Sequence, residues 1–123
     1  MLTVLIASFN GEHVLPSVLE AYCRIEAPEG GWKLVIVDNG STDRTRAIIL
    51  SYSDRLPIAY VLEPRPGKNA ALNTGLSHVD GDLVVFTDDD IFPHIDWLSQ
   101  LRRAADTHPS FTIFAGKPRP MQE

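Results

Sequence analysis

Short apolar runs recur along this chain at intervals of about 25 to 30 residues, and that spacing constrains the fold more than any other feature. Residues 2–8, 33–37, 58–62 and 83–87 are nearly continuous stretches of Val, Leu, Ile, Ala and aromatic side chains, with 111–115 a weaker fifth. A strand that is apolar on both sides is covered on both faces, as in a parallel sheet. The segments between carry apolar residues at helical spacing: Val14, Leu15, Val18, Leu19 and Tyr22, then Ile48, Ile49 and Tyr52, then Leu72, Leu76 and Val79. This alternation predicts right-handed βαβ units and an α/β fold: an open, mostly parallel, Rossmann-like sheet flanked by helices on both faces. Trp97, Leu98 and Leu101 predict a further helix after Pro93, with His94 or Asp96 near its start.

In such a sheet, ligands gather beyond the carboxyl ends of the strands. The segments to search are therefore 9–13, 38–43, 63–68 and 88–93. A chain of 123 residues supports one core and one domain. Eleven basic against 16 acidic side chains give a net charge of -5, with no basic stripe of the kind a phosphate backbone requires, so no nucleic-acid partner is expected. The single Cys23 excludes an internal disulfide and favours a reducing, cytoplasmic setting. The opening apolar run is far shorter than the roughly 20 residues of a membrane span. Peripheral attachment at the inner face of a membrane stays open.

The strongest local feature is Thr87-Asp88-Asp89-Asp90, three carboxylates directly after an apolar strand. Three adjacent carboxylates repel one another, so holding them at a strand end calls for a cation or strong donors. Mg2+ or Mn2+ suits such oxygen ligands; the rival reading is one helix cap with solvated neighbours. An extended backbone would turn Asp89 away from Asp88 and Asp90. A second feature is the strand end Asp38-Asn39-Gly40, followed by Ser41, Thr42 and Asp43. Ser41, Thr42 or Asp43 can cap a helix over 44–53, while Asp38 and Asn39 can offer a carboxylate and an amide to the edge of a base. Phe9, after the first strand, either covers a base or plugs the top of the core. Gly67-Lys68 opens a helix and makes a reasonable anion site. Neither a Walker loop nor a GxGxxG fingerprint is present.

Taken in series, TVLIASFNG, VIVDNGSTD, GKNAALNTGL and GDLVVFTDDDIFP resemble, in order and spacing, the family 2 glycosyltransferases over residues 2–99. The resemblance implies a GT-A type fold with its second half incomplete here, so that residues 1–123 would be the nucleotide-sugar-binding half of a family 2 domain. It implies an inverting, metal-dependent transfer of sugar from a nucleoside diphosphate donor, often a UDP-sugar, to the hydroxyl of an unknown acceptor. Ala7 and Phe9 would line the base pocket, Asp38 and Asn39 would meet the uracil edge, and Lys68 would approach the base or diphosphate. Asp88 and Asp90 match the outer positions of a DxD element, Asp88 nearer the ribose and Asp90 on the Mg2+ or Mn2+, with Asp89 as a further donor contact. A shift of one residue would make Asp89 the ligand.

The general base of the family is expected beyond Glu123; Asp96 reads as a helix start. A nucleotidyltransferase is disfavoured because no Gly-rich activation loop lies near the N terminus. The alternative from another class is a noncatalytic nucleotide-binding module, or a truncated product lacking the acceptor half. An incomplete sheet also leaves an edge through which copies of the chain could associate as a homo-oligomer.

Overall fold

The computed structural model describes residues 1–107 and the backbone of 113–115. Its order is β1 (Leu2–Ser8), α1 (Leu15–Cys23), β2 (Trp32–Asp38), α2 (Thr45–Ser51), β3 (Ile58–Leu62), α3 (Lys68–Leu76), β4 (Leu83–Asp88), α4 (Trp97–Thr107) and β5 (Ile113–Ala115). The expected weak strand is thus present over its last three residues; 111 and 112 lie outside the described residues. The sheet runs β3-β2-β1-β4-β5 with every neighbouring pair parallel. β1 lies at the centre, and its residues are buried except for the half-buried Ala7, which is why its sequence shows no polar alternation.

The two faces of the sheet carry separate cores. Leu2, Val4, Ile6, Leu34, Ile36, Leu83 and Val85 pack with Leu15, Val18 and Leu19 of α1, Ile49 of α2, and Trp97 and Leu98 of α4. Leu5, Val35, Val37 and Val61 face the other way, toward Ala71 of α3. Gly75 lets α3 lie close to this second face, since a Cβ there would fall 2.8 Å from Val37 Cγ2 and nearer still to Leu5 Cδ1. The chain builds outward from β1 through β2 to β3, then returns beneath the sheet through α3 to place β4 on the opposite side of β1. That reversal opens a crevice between the loops after β1 and β4, where an open α/β sheet receives its ligands.

Helix α2 corrects one expectation. It starts at Thr45, and its N-cap position is Arg44, which makes no side-chain capping bond. Asp43 supplies part of the cap, its Oδ1 accepting from Thr45 N at 2.9 Å. Ser41 and Thr42 instead bind the loop after β1: Asn10 N donates to Ser41 Oγ at 2.8 Å, and Thr42 N donates to Asn10 Oδ1 at 2.9 Å. Glu12 joins the same seam, its N donating to Asp43 Oδ2 and its Oε1 accepting from Arg44 N. Residues with capping chemistry are here used to tie two loops together. Among the described residues no helix is long and apolar enough to cross a membrane.

Candidate functional site

At the carboxyl ends of β1, β2 and β4 lies a cleft of about 540 Å³, lined by Ala7, Ser8, Phe9, Asn39, Pro66, Gly67, Lys68 and the triplet Asp88, Asp89, Asp90. Parallel registry puts these groups at one level: Ala7 stands opposite Asp88, and Ser8 opposite Asp38. Phe9 is 61% exposed, so its ring forms a wall of the cleft and does not plug the core. An aromatic face left open beside polar groups suits a flat ring more than it suits water.

The triplet does not form a ready-made cage. Lys68 Nζ donates to Asp88 Oδ1 at 2.5 Å, both side chains being about half exposed or more. Asp89 turns elsewhere, its Oδ2 accepting from Ser8 Oγ at 2.6 Å, while Asp90 is exposed. Burial pushes the Asp89 carboxyl above the usual carboxylate range; the Ser8 hydrogen bond opposes this, and the charges of Asp90 and Asp88 add to it. Among the described residues no three Asp, Glu, His or Cys side chains converge on a common point. Lys68 pairs with Asp88 alone, so Asp90 beside it leaves excess negative charge on hard oxygen donors at the cleft. That donor set fits a divalent cation which takes its remaining ligands from water and phosphate.

The strand end of β2 is placed differently from the expectation. Asp38 is 2% exposed and absent from the cleft wall. Its Oδ1 accepts from Ser41 N at 2.9 Å and its Oδ2 from Tyr60 Oη at 2.6 Å, so in this conformation both oxygens are engaged with the protein. Burial raises the Tyr60 phenol to about 12, the bond to Asp38 contributing in the same direction. Asn39 does reach the cleft, but its Nδ2 is held by the carbonyls of Glu63, at 2.9 Å, and Arg65, at 2.6 Å.

Those carbonyls belong to a loop whose organiser the sequence did not reveal. Glu63 is 4% exposed and holds Arg65 through the backbone N at 2.9 Å, Nε at 3.1 Å and Nη2 at 2.8 Å. Thr74 Oγ1, from α3, donates to the same carboxylate. The Arg65 guanidinium and the Thr74 hydroxyl lower the Glu63 carboxyl to about 2. Loop 63–67 is thereby folded back onto α3, which presents Pro66, Gly67 and Lys68 to the cleft. The one sequence signal was a Glu two residues before an Arg between prolines, a pattern too common to single out.

Comparison with known proteins places these features in a family. The model of Glycosyl transferase family 2 matches residues 3–120. A dolichyl-phosphate beta-glucosyltransferase of Trichomonas vaginalis is 32% identical over 103 residues, covering 77% of this chain and 32% of that protein. Among solved structures, a mannosyltransferase of Pyrobaculum calidifontis in complex with GDP-Man and Mn2+ superposes with a TM-score of 0.73 at 32% identity, over 80% of this chain and 30% of that one. TarS 1–349 of S. aureus in complex with UDP-GlcNAc superposes with a TM-score of 0.77 at 25% identity, over 88% and 32%. The chain spans about a third of the length of these proteins. It belongs to glycosyl transferase family 2 and carries the GT-A type of parallel sheet.

Proposed function

We propose that residues 1–123 form the donor-binding half of an inverting glycosyltransferase that takes a nucleoside diphosphate sugar, with UDP as the nucleotide, and uses Mg2+ or Mn2+. The observation that carries this reading is the cleft itself: one open aromatic face, one lysine at a helix start and three carboxylates meet at the reversal point of the sheet. Phe9 stacks on the base, with Ala7 leaving room beside it. Asn39, its Nδ2 already engaged, turns Oδ1 as an acceptor toward a ring N–H of the base. Asp38 backs this edge through Ser41 and Tyr60, and meets the base itself only if the Tyr60 bond opens.

Lys68 approaches the diphosphate, exchanging Asp88 for a phosphate oxygen and leaving the Asp88 carboxylate to accept from the ribose hydroxyls. Asp90, with Asp88 beside it, would hold the cation, and Asp89 lies between them in the cleft wall. The bound cation would neutralise charge on the leaving diphosphate. The acceptor hydroxyl attacks the anomeric carbon opposite the departing nucleotide, which inverts the configuration. The base for that proton belongs to the acceptor half. The complex of the Pyrobaculum calidifontis relative with GDP-Man and Mn2+, and that of TarS with UDP-GlcNAc, support the donor class and the metal.

Calorimetric titration with UDP, with and without Mn2+, tests this. Wild type is expected to bind more tightly with Mn2+, with that increment lost in Asp90→Ala and reduced in Asp88→Ala. Tighter binding of GDP or dTDP would change the base and keep the site. Binding without any effect of Mn2+ would favour a noncatalytic nucleotide module, and no binding of any of the three would remove the donor reading.

A further inference from the structure

The middle carboxylate of the triplet has the least obvious task, and its surroundings supply one. The Ser8 to Asp89 hydrogen bond joins the end of β1 to the turn after β4, across 81 positions of sequence. Gly11 closes over this pair. A Cβ at Gly11 would lie 2.7 Å from Ser8 Oγ and 3.0 Å from Asp89 Oδ2, so only a hydrogen fits there. The short segment from Ser8 to Gly11 carries Phe9 on the cleft wall. It is held from its other side as well, by Asn10 N donating to Ser41 Oγ and Gly11 N donating to Thr45 Oγ1 at 2.9 Å. The loop with the open aromatic face is thus pinned between α2 and the carboxylate turn, and Asp89 is the pin on the turn.

We propose that Ser8 and Asp89 form a clasp that fixes the spacing between Phe9 and the carboxylate turn, which makes Asp89 a positioning residue. Asp88 and Asp90 are then the pair available to a donor and its cation, and the frame of the triplet is set by a hydrogen bond within the protein. The consequence for the donor rests on the reading under Proposed function; the clasp between the loops does not. The chemistry asked of position 89 is an oxygen acceptor for the Ser8 hydroxyl. An amide supplies that as well as a carboxylate does, whereas a metal ligand at this position needs the charge.

Asp89→Asn, Asp89→Ala, Ser8→Ala and the Ser8→Ala/Asp89→Ala double variant of the whole chain separate the two roles. UDP titrations with Mn2+ are combined with amide hydrogen exchange of the free chain over residues 8–12 and 88–91. Ser8→Ala and Asp89→Ala should each weaken binding about ten-fold, the cost of one side-chain hydrogen bond. The double variant should be no weaker than either single one, because both remove the same contact. Asp89→Asn should stay within about two-fold of wild type and restore exchange protection in both loops. If Asp89→Asn binds as poorly as Asp89→Ala while Ser8→Ala binds normally, position 89 supplies charge and the clasp is overturned; additive losses in the double variant overturn it too. If wild type binds no nucleotide, the donor reading falls, and the exchange data still decide the clasp: joint loss of protection in both loops supports it, and an effect confined to the mutated loop refutes it.

Discussion

Replacing Gly75 by Ala should destabilise this protein, although the same exchange at an open helical site would stabilise it. Gly75 lies near the C-terminal end of α3 with its Cα against the sheet, and an added Cβ would meet Leu5 Cδ1 and lie 2.8 Å from Val37 Cγ2. Ordinary carbon contacts are about 3.5 to 4.0 Å. Neither neighbour yields easily, since Leu5 and Val37 are both fully buried in the centre of the sheet and Val is stiff about χ1. The helix must therefore lift by about 1 Å, or a core side chain must leave its rotamer; overpacking of this kind costs about 1 to 3 kcal/mol. The better helix propensity of Ala returns about 1 kcal/mol. The net loss is about 1 kcal/mol, or a fall of about 4 °C in Tm for a chain of this size.

Thermal unfolding followed by circular dichroism measures that shift. A rise of about 4 °C, as expected for an unhindered Gly to Ala exchange, would show that α3 does not approach the sheet this closely. Donor affinity should respond less than stability does. Lys68 lies at the far end of α3, about 10 Å along the axis, so a lift at Gly75 tilts the helix about its N-terminal end.

Other side chains give independent checks. Phe9→Ala should leave Tm within about 2 °C of wild type, the ring being mostly exposed, yet weaken UDP binding about ten-fold in calorimetry through the lost stacking. Equal affinity would take Phe9 out of the base site. Glu63 has a folded pKa of about 2, below its ordinary 4.5, so its contribution is complete above the unfolded value and is lost as pH falls from about 4.5 through 2. Urea midpoints of Glu63→Gln should accordingly lie below wild type at pH 6 and converge with it near pH 2; parallel curves would refute the role of Glu63 in the loop. Arg102, whose side chain is 9% exposed, pairs with Asp82 and Asp106. Arg102→Met should cost about 1 to 2 kcal/mol in chemical denaturation, less than a fully buried pair because both partners are more than half exposed. An unchanged midpoint would mean that the pair contributes no net stability.

The differences between what the sequence disclosed and what it hid follow from which interactions are local. Central strands covered on both faces are apolar at nearly every position, so 2–8 was legible to the residue and β2 and β4 to within one residue at either end; the edge strand 58–62, half-buried at three of its five positions, was legible from its run of Ile, Tyr, Val and Leu. Helix α3 was legible as a helix but not by its buried face. Leu72, Leu76 and Val79 mark the apolar spacing, yet the buried positions are Ala71 and Gly75, and Leu76 is 43% exposed. A helix that packs by close approach uses small residues, which a search for large apolar side chains passes over.

The same distinction explains the site. The triplet at the end of β4 and the lysine at the start of α3 could be placed from sequence, because strand ends and helix starts are set by neighbours along the chain. Their partners could not be. Asp38 is covered by Tyr60, Asn39 is engaged by the carbonyls of Glu63 and Arg65, and Asp89 is taken up by Ser8, all from other strands and loops. Ser41 and Thr42 have capping chemistry in any context, and only the arrival of Asn10 from the loop after β1 turns them into a seam. Sequence thus locates the polar groups at the sheet edge, while topology decides which of them stay free. By that reasoning, exchanges at Ser8 or Tyr60, neither of which carries a catalytic signature, should alter the cleft through Asp89 and Asp38 respectively, more than exchanges at exposed polar positions nearby such as His13.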